Sequence, residues 1–191
     1  IPDPVSFAYP GNGIDAGAFP ILREAGIQFA RRGGAPEYPY DEGRGVAYEP
    51  GRDHPLLIPS AGDARPGWTL SDLRRAVEPA KDGRIAVLQF HGAPDTAHQW
   101  VDLPPWKFEP FMNHLKARGY RVIALRDLAK YVDPNQTPED AFAVIEQRRE
   151  RRRAGVAIVH PGDGAEMVYV PAGRFVMGLN ADDVTTIARH Y

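Results

Sequence analysis

The chain contains no cysteine. That excludes disulfides, thiolate metal sites and a cysteine nucleophile. It also has no apolar run near the ~18 residues that a membrane-spanning helix needs. Charge of one sign is lacking too. The formal net charge is −2 over 191 residues, so no global field draws the chain to nucleic acid or to an anionic membrane. What is abundant is glycine and proline, with 19 of each, which predicts short elements joined by many loops. The hydrophobic share of 43% and aromatic share of 10% are ordinary for a globular domain and exclude a wholly disordered chain. The start Ile1-Pro2-Asp3 carries no signal peptide, and the end at His190-Tyr191 falls inside a beginning pattern. We read the sequence as a piece of a longer protein.

Apolar patterning alternates strand and helix as far as about Asp133. Val5 to Tyr9 predicts a strand stopped by Pro10-Gly11-Asn12-Gly13. Asp15 predicts a cap for a helix reaching about Ala25, and Ile27 to Ala30 a second strand. Arg32 to Pro55 reads as a long loop, of the kind that is functional or disordered. Thr69 and Asp72 form a capping signature ahead of Leu70, Leu73 and Val77 on one helix face. Ile85 to Phe90 predicts a strand buried on both faces. Phe108, Phe111, Met112 and Leu115 mark a helix ended by Gly119, and Tyr120 to Ala124 a further buried strand. Asp127 to Tyr131 predicts a last short helix. This order argues an α/β fold with parallel strands, either a barrel or a doubly wound sheet.

Beyond Asp133, Thr137-Pro138-Glu139-Asp140 is a strong helix start. The helix runs into an arginine-rich end, Arg148 to Arg153. Its cations complement the helix dipole more simply than they suggest nucleic acid. It has few apolar positions and reads as an exposed spacer. Met167 to Val170 and Arg174 to Met177 then flank Pro171-Ala172-Gly173, a hairpin signal.

Chemistry points first to Val87-Leu88-Gln89-Phe90-His91-Gly92. A histidine directly ending a buried strand lies where α/β folds place active sites, and imidazole suits proton transfer there. A structural histidine bonding a loop carbonyl is the equal alternative. Asp95 and His98 complete a His-x-x-x-Asp-x-x-His spacing, but on a loop that fixes no common face for a metal. Asp53-His54 offers a carboxylate to polarise a histidine, or a plain surface turn. The glycine-rich turn at Pro10 to Gly13 exposes backbone N–H groups of the kind that hold an oxyanion. Trp68, Trp100 and Trp106 are either sugar platforms or core.

In this order and spacing, three stretches resemble the C-terminal half of the polysaccharide deacetylases, the carbohydrate esterase family 4 domain. They are PVSFAYPGNGIDAGAFPILREAGIQFAR, DHPLLIPSAGDARPGWTLSDLRRAVEPA and GRIAVLQFHGAPDTAHQWVDLPPWKFEPFMNHLKARGYRVIALRDLAKYV. The resemblance spans about residues 1–133. It implies part of an irregular (β/α) barrel and an enzyme that removes acetyl groups from carbohydrates with a divalent, zinc-like metal. His91 matches the histidine of the family's last motif and is implied as the general acid. Gly11 falls where an oxyanion-hole N–H is supplied, and Ala8 where many members carry arginine. Asp53 is implied, by a looser match, as an acid that tunes the histidine. Tyr9, Trp68 and Trp100 are implied as substrate-binding aromatics. The metal ligands and the catalytic base belong to motifs upstream of Val5, so no metal ligand is expected in this chain. The implied partner is an acetylated carbohydrate, without nucleic acid or a membrane span, in an extracytoplasmic setting. The runner-up is a non-catalytic carbohydrate-binding module on the same fold.

The stretch GAEMVYVPAGRFVMG resembles the opening of the formylglycine-generating, sulfatase-modifying domain. The expected organisation is therefore a deacetylase-like part at 1–133, a helical linker at 134–163, and a truncated hairpin start of the second domain at 164–191.

Overall fold

The computed structural model describes residues 3–154 and the backbone of 157–159 and 166–168. It is a mixed α/β structure with small parallel sheets. Strand β1 (Ser6–Ala8) pairs in parallel with β2 (Phe29–Arg32), which pairs in parallel with β3 (Ile58–Pro59). Strand β4 (Gly62–Asp63) pairs in parallel with β5 (Leu88–Gln89). One extended segment, 58–64, joins the two sheets. Ser60 N still donates to Arg32 O at 3.0 Å, while Ala61 N already donates to Val87 O at 2.7 Å. The segment changes partner there, so β1, β2, segment 58–64 and β5 lie in sequence with all strands parallel.

Period-two alternation along these strands divides the apolar side chains between layers. Helix α1 (Ala18–Glu24) covers one face, and Leu22 packs with Tyr9, Ile27, Ala30, Leu56 and Leu57. Helices α2 (Leu70–Val77) and α3 (Pro105–Ala117) cover β4 and β5, joining Leu73, Val77, Phe111 and Leu115 to Trp68 and Ala64. Phe29, Tyr48, Ile58 and Leu128 form a third cluster, with Ile85 and Val87 against it. Helix α2 starts on the expected capping box. Thr69 and Asp72 each bond the other's backbone N–H, although burial alone would push the Asp72 carboxyl up. Hydrogen bonds from Thr69, with Arg75 beside it, outweigh burial and hold that carboxyl below its ordinary value. Asp15 instead accepts from Gly17 N at 2.8 Å, so it makes a turn ahead of α1.

Four expectations are corrected. The long loop 32–55 is pinned by buried charge. Arg32, fully buried, clasps Glu37 through both Nη atoms at 2.7 and 2.6 Å and gives Nε to Leu57 O. Tyr48 and Ile85 exchange backbone hydrogen bonds across that loop. Second, Ile85 to Phe90 is half-buried, and only its Leu88–Gln89 portion is strand. Third, Tyr120 to Ala124 forms no strand, and Val122 is 68% exposed. Both segments border an open cavity of about 840 Å³, whose other wall is β1. Apolar sequence there meets a void where a sheet neighbour would sit.

Fourth, the expected exposed spacer at 134–163 begins as part of the core. Helix α4 (Ala143–Ala154) starts later than predicted, with Asp140 Oδ1 accepting from Phe142 N and Ala143 N. Val144 and Ile145 are buried among Tyr9, Leu22 and Leu57, each such burial contributing roughly 1.5–3 kcal/mol. The first compact unit runs to Arg149. In the second unit, β6 (Ala157–Val159) pairs antiparallel with β7 (Glu166–Val168). The hairpin predicted around Pro171-Ala172-Gly173 lies outside the described residues. Among the described residues no helix is long and apolar enough to cross a membrane.

Candidate functional site

The alternation that builds the third core cluster also builds a polar cluster beyond it. On β2, Phe29 faces the core and Arg31 follows two residues later. Ile58 is followed by Ser60, and Val87 by Gln89 and then His91. The same face thus changes from apolar to polar at the C-terminal end of each parallel strand, where such folds carry their sites.

The side chains meet. Arg31 Nη1 donates to Asn12 Oδ1 at 3.0 Å and to Gln89 Oε1, with Ser60 Oγ at 3.4 Å. Asn12 reaches Arg31 because the Pro10–Asn12 turn holds Asn12 at φ 60°. Gln89 Nε2 lies 3.2 Å from His91 Nε2, and Asp63 Oδ1 lies 3.3 Å from the same nitrogen. The turn at Pro10 to Gly13 and the histidine are therefore joined through Asn12, Arg31 and Gln89. Asp63 Oδ2 accepts from Arg65 at 2.7 Å, and Arg65 stacks over Tyr40 at 4.7 Å from the ring centre. Desolvation lowers the Arg31 guanidinium from its ordinary value, and the charge of Asp63 opposes that.

His91 has a side chain 30% exposed, so it reaches solvent beside a carboxylate that is 10% exposed. Asp63 is the acid at the histidine, and sequence reasoning missed it. Asp53 is 1% exposed and is held by Arg148 and by Glu49 N. Gly11 sits in the glycine-rich turn at φ 59°. The turn's own hydrogen bonds use Asn12 N, to Tyr9 O, and Gly13 N, to Pro10 O.

The aromatic expectations divide. Tyr9 is 6% exposed and donates its hydroxyl to Leu56 O at 3.0 Å, and burial raises that hydroxyl above its ordinary value. Trp68 is 5% exposed against Phe111. Both are core and offer a substrate no face. Trp100 and Trp106 are 68% and 69% exposed, a large cost in apolar surface left in water. Trp100 stands against His98, which lies on Asp95 at 3.1 Å, in the loop that follows His91. Lys107 ties the Trp106 end of α3 to Pro66 O, in the loop that follows Asp63.

Among the described residues no three or more His, Asp or Glu side chains converge as ligands. Asp95 spends its carboxylate on His98 and on the Ala97 and His98 amides, while His91 belongs to Asp63 and Gln89. Comparison with known protein families, with curated proteins and with solved structures finds no match to the chain.

Arg31, Asn12, Ser60, Gln89 and Asp63 were the residues missed. The signal for most of them was available: a polar residue two places beyond the last core-facing apolar residue of each strand.

Proposed function

We propose that this chain contributes to the hydrolysis of acetylated carbohydrate, as the C-terminal part of a polysaccharide deacetylase-type enzyme. The observation that carries the reading is His91 at the end of β5, partly open to solvent, with Asp63 Oδ1 3.3 Å from Nε2. Nε2 is taken by the protein, so Nδ1 is the nitrogen available to a substrate.

In the proposed reaction, water adds to the acetamide carbonyl and gives up one proton to the surrounding solvent. As the tetrahedral species collapses, the C–N bonding pair returns to nitrogen, and His91 Nδ1 supplies the proton that makes the amine a leaving group. The acid is the charged, imidazolium form of the ring, which the transfer leaves neutral. The glycine-rich turn bearing Gly11 is the proposed source of an N–H for the oxyanion. No step is assigned to a metal, because no group of ligands gathers among the described residues.

The finer architecture belongs to this proposal: the parallel row is part of an irregular (β/α) barrel. Its support is the position of β1 at the edge of its sheet and the apolar cavity between β1 and residues 120–125. A closed barrel has no sheet edge and fills such an interior.

Acetate release from N-acetylglucosamine oligomers by the intact protein tests the reading. His91→Ala should lower turnover by ~10²–10⁴, the usual worth of a general acid. Unchanged turnover would sink it. The exposure of Trp100 and Trp106 favours carbohydrate contact in itself. Binding of the same oligomers with no acetate release would move the chain to the second reading, a non-catalytic carbohydrate-binding module.

A further inference from the structure

His91 Nε2 faces two groups of opposite hydrogen-bonding character. Gln89 Nε2 stands 3.2 Å away and Asp63 Oδ1 3.3 Å away. In a neutral imidazole this nitrogen carries either a lone pair or a hydrogen. A lone pair suits the Gln89 amide nitrogen; an N–H suits Asp63.

The orientation of the Gln89 amide is fixed from behind. Arg31 is a donor only, and its Nη1 donates to Gln89 Oε1. The amide oxygen therefore faces Arg31, and the NH₂ faces His91. Ser60 Oγ lies 3.5 Å from the same Oε1 and supports that orientation. Asp63 Oδ1 is buried and accepts no hydrogen bond, although it lies 3.3 Å from the ring nitrogen. Gln89 thus makes the hydrogen-bonded contact with Nε2, and Asp63 stands beside it with Arg65 on its other oxygen.

We propose that Gln89, oriented by Arg31, is a positioning residue that sets the tautomer of His91. The neutral ring carries its proton on Nδ1 and accepts from Gln89 at Nε2. In the imidazolium, Nε2–H is held by Asp63. The proposal rests on the reading of His91 as the group that meets the substrate. It adds that Nδ1 bears a proton in both the neutral and the charged ring. Without Gln89, Asp63 alone would draw the neutral ring's proton to Nε2 and leave Nδ1 a lone pair.

The test is the ¹⁵N spectrum of the histidine rings in the uniformly labelled protein at mildly alkaline pH, with His91 assigned by His91→Gln. The expected result is a pyrrole-type Nδ1 and a pyridine-type Nε2. Gln89→Leu should exchange the two signals, since only Asp63 then faces Nε2. Gln89→Glu, which offers acceptors alone, should do the same and keeps the test open if the leucine variant folds poorly. A pyrrole-type Nε2 in the parent protein, or signals unmoved in the folded variants, overturns the proposal. A purely structural role for Gln89 leaves the ring nitrogens where they are. The spectrum reads the tautomer without turnover, so its failure and the failure of the deacetylase reading are separate results.

Discussion

Arg148 holds Asp53 across 95 positions of sequence, with Nη1 to Oδ1 at 2.5 Å and Nη2 to Oδ2 at 2.9 Å. Asp53 is 1% exposed, and Glu37 and Glu49 stand 3.9 and 3.6 Å from the same guanidinium. Burial disfavours the Arg148 charge, yet hydrogen bonding by Asp53 and the surrounding carboxylates raise it above its ordinary value. This clasp ties α4 to the loop that precedes β3.

Arg148→Met removes the cation and leaves a buried carboxylate. The cost should be about 3–5 kcal/mol, the usual penalty for breaking a buried pair from one side. Arg151→Ala, at an exposed position of the same helix, should stay within about 0.5 kcal/mol. Urea denaturation of both variants decides. A loss below about 1 kcal/mol for Arg148→Met would return α4 to the role of a loose spacer.

The three tryptophans should separate by function. Trp68 is buried with Leu73 and Phe111, so Trp68→Ala should cost roughly 3–5 kcal/mol in stability. Trp100→Ala and Trp106→Ala should leave the denaturation midpoint nearly unchanged. Each should weaken binding of N-acetylglucosamine oligomers several-fold in a calorimetric titration. Unaltered binding in both would remove these rings from any substrate path.

Much of the core was legible because strand and helix periods are strong local signals. Phe29, Leu73, Phe111 and Leu115 lie where their spacing put them, and the Thr69–Asp72 box formed as read. What failed depended on neighbours. Tyr120 to Ala124 carries the β-branched pair Val122 and Ile123, but a strand needs a partner edge, and this segment pairs with none. The apolar pair Val144 and Ile145 was too brief to announce a buried face; distant Leu56 and Leu57 make it one. At the site, His91 was visible as a lone histidine at a strand end. Its acid was not, because Asp63 is 28 residues earlier in the numbering and reaches His91 only through the pairing of β4 with β5. Asp53 was named by a looser match, and the fold gives its carboxylate to Arg148.

Gly62 is required by contact rather than by backbone angle. A Cβ there would lie 2.3 Å from Trp68 Cη2, 2.8 Å from its Cζ2 and 3.1 Å from Ala76 Cβ. Gly62→Ala should therefore cost about 1–3 kcal/mol, as overpacked cores do. Because Gly62 adjoins Asp63, the variant should also disturb the His91 ring signals. Adding Trp68→Leu should recover part of the stability, giving a coupling of about 0.5–3 kcal/mol in a double-mutant cycle. Simple additivity would show that Trp68 is not what the methyl group meets.

His54 gives the fold a pH limit. Its Nδ1 accepts from Leu56 N at 3.1 Å, and its ring stacks on Phe19 with centroids 4.6 Å apart. Burial, and then the charge of Arg23, lower it from its ordinary 6.5. A lowered histidine is neutral in the folded chain at pH values where the unfolded chain already binds the proton. Its contribution to stability is therefore complete above the unfolded value of 6.5 and declines as pH falls towards the lower folded value. Protonation at Nδ1 also removes the acceptor that caps the Pro55–Leu57 turn. Urea midpoints should fall more steeply below about pH 6.5 in the parent protein than in His54→Asn, whose side-chain oxygen can accept the same N–H without titrating. The two curves should run parallel above about pH 7.5, where the parent ring is neutral in both states. Equal slopes through the acid range would mean that another group sets the limit, and that the Leu56 N–H does not depend on a neutral His54.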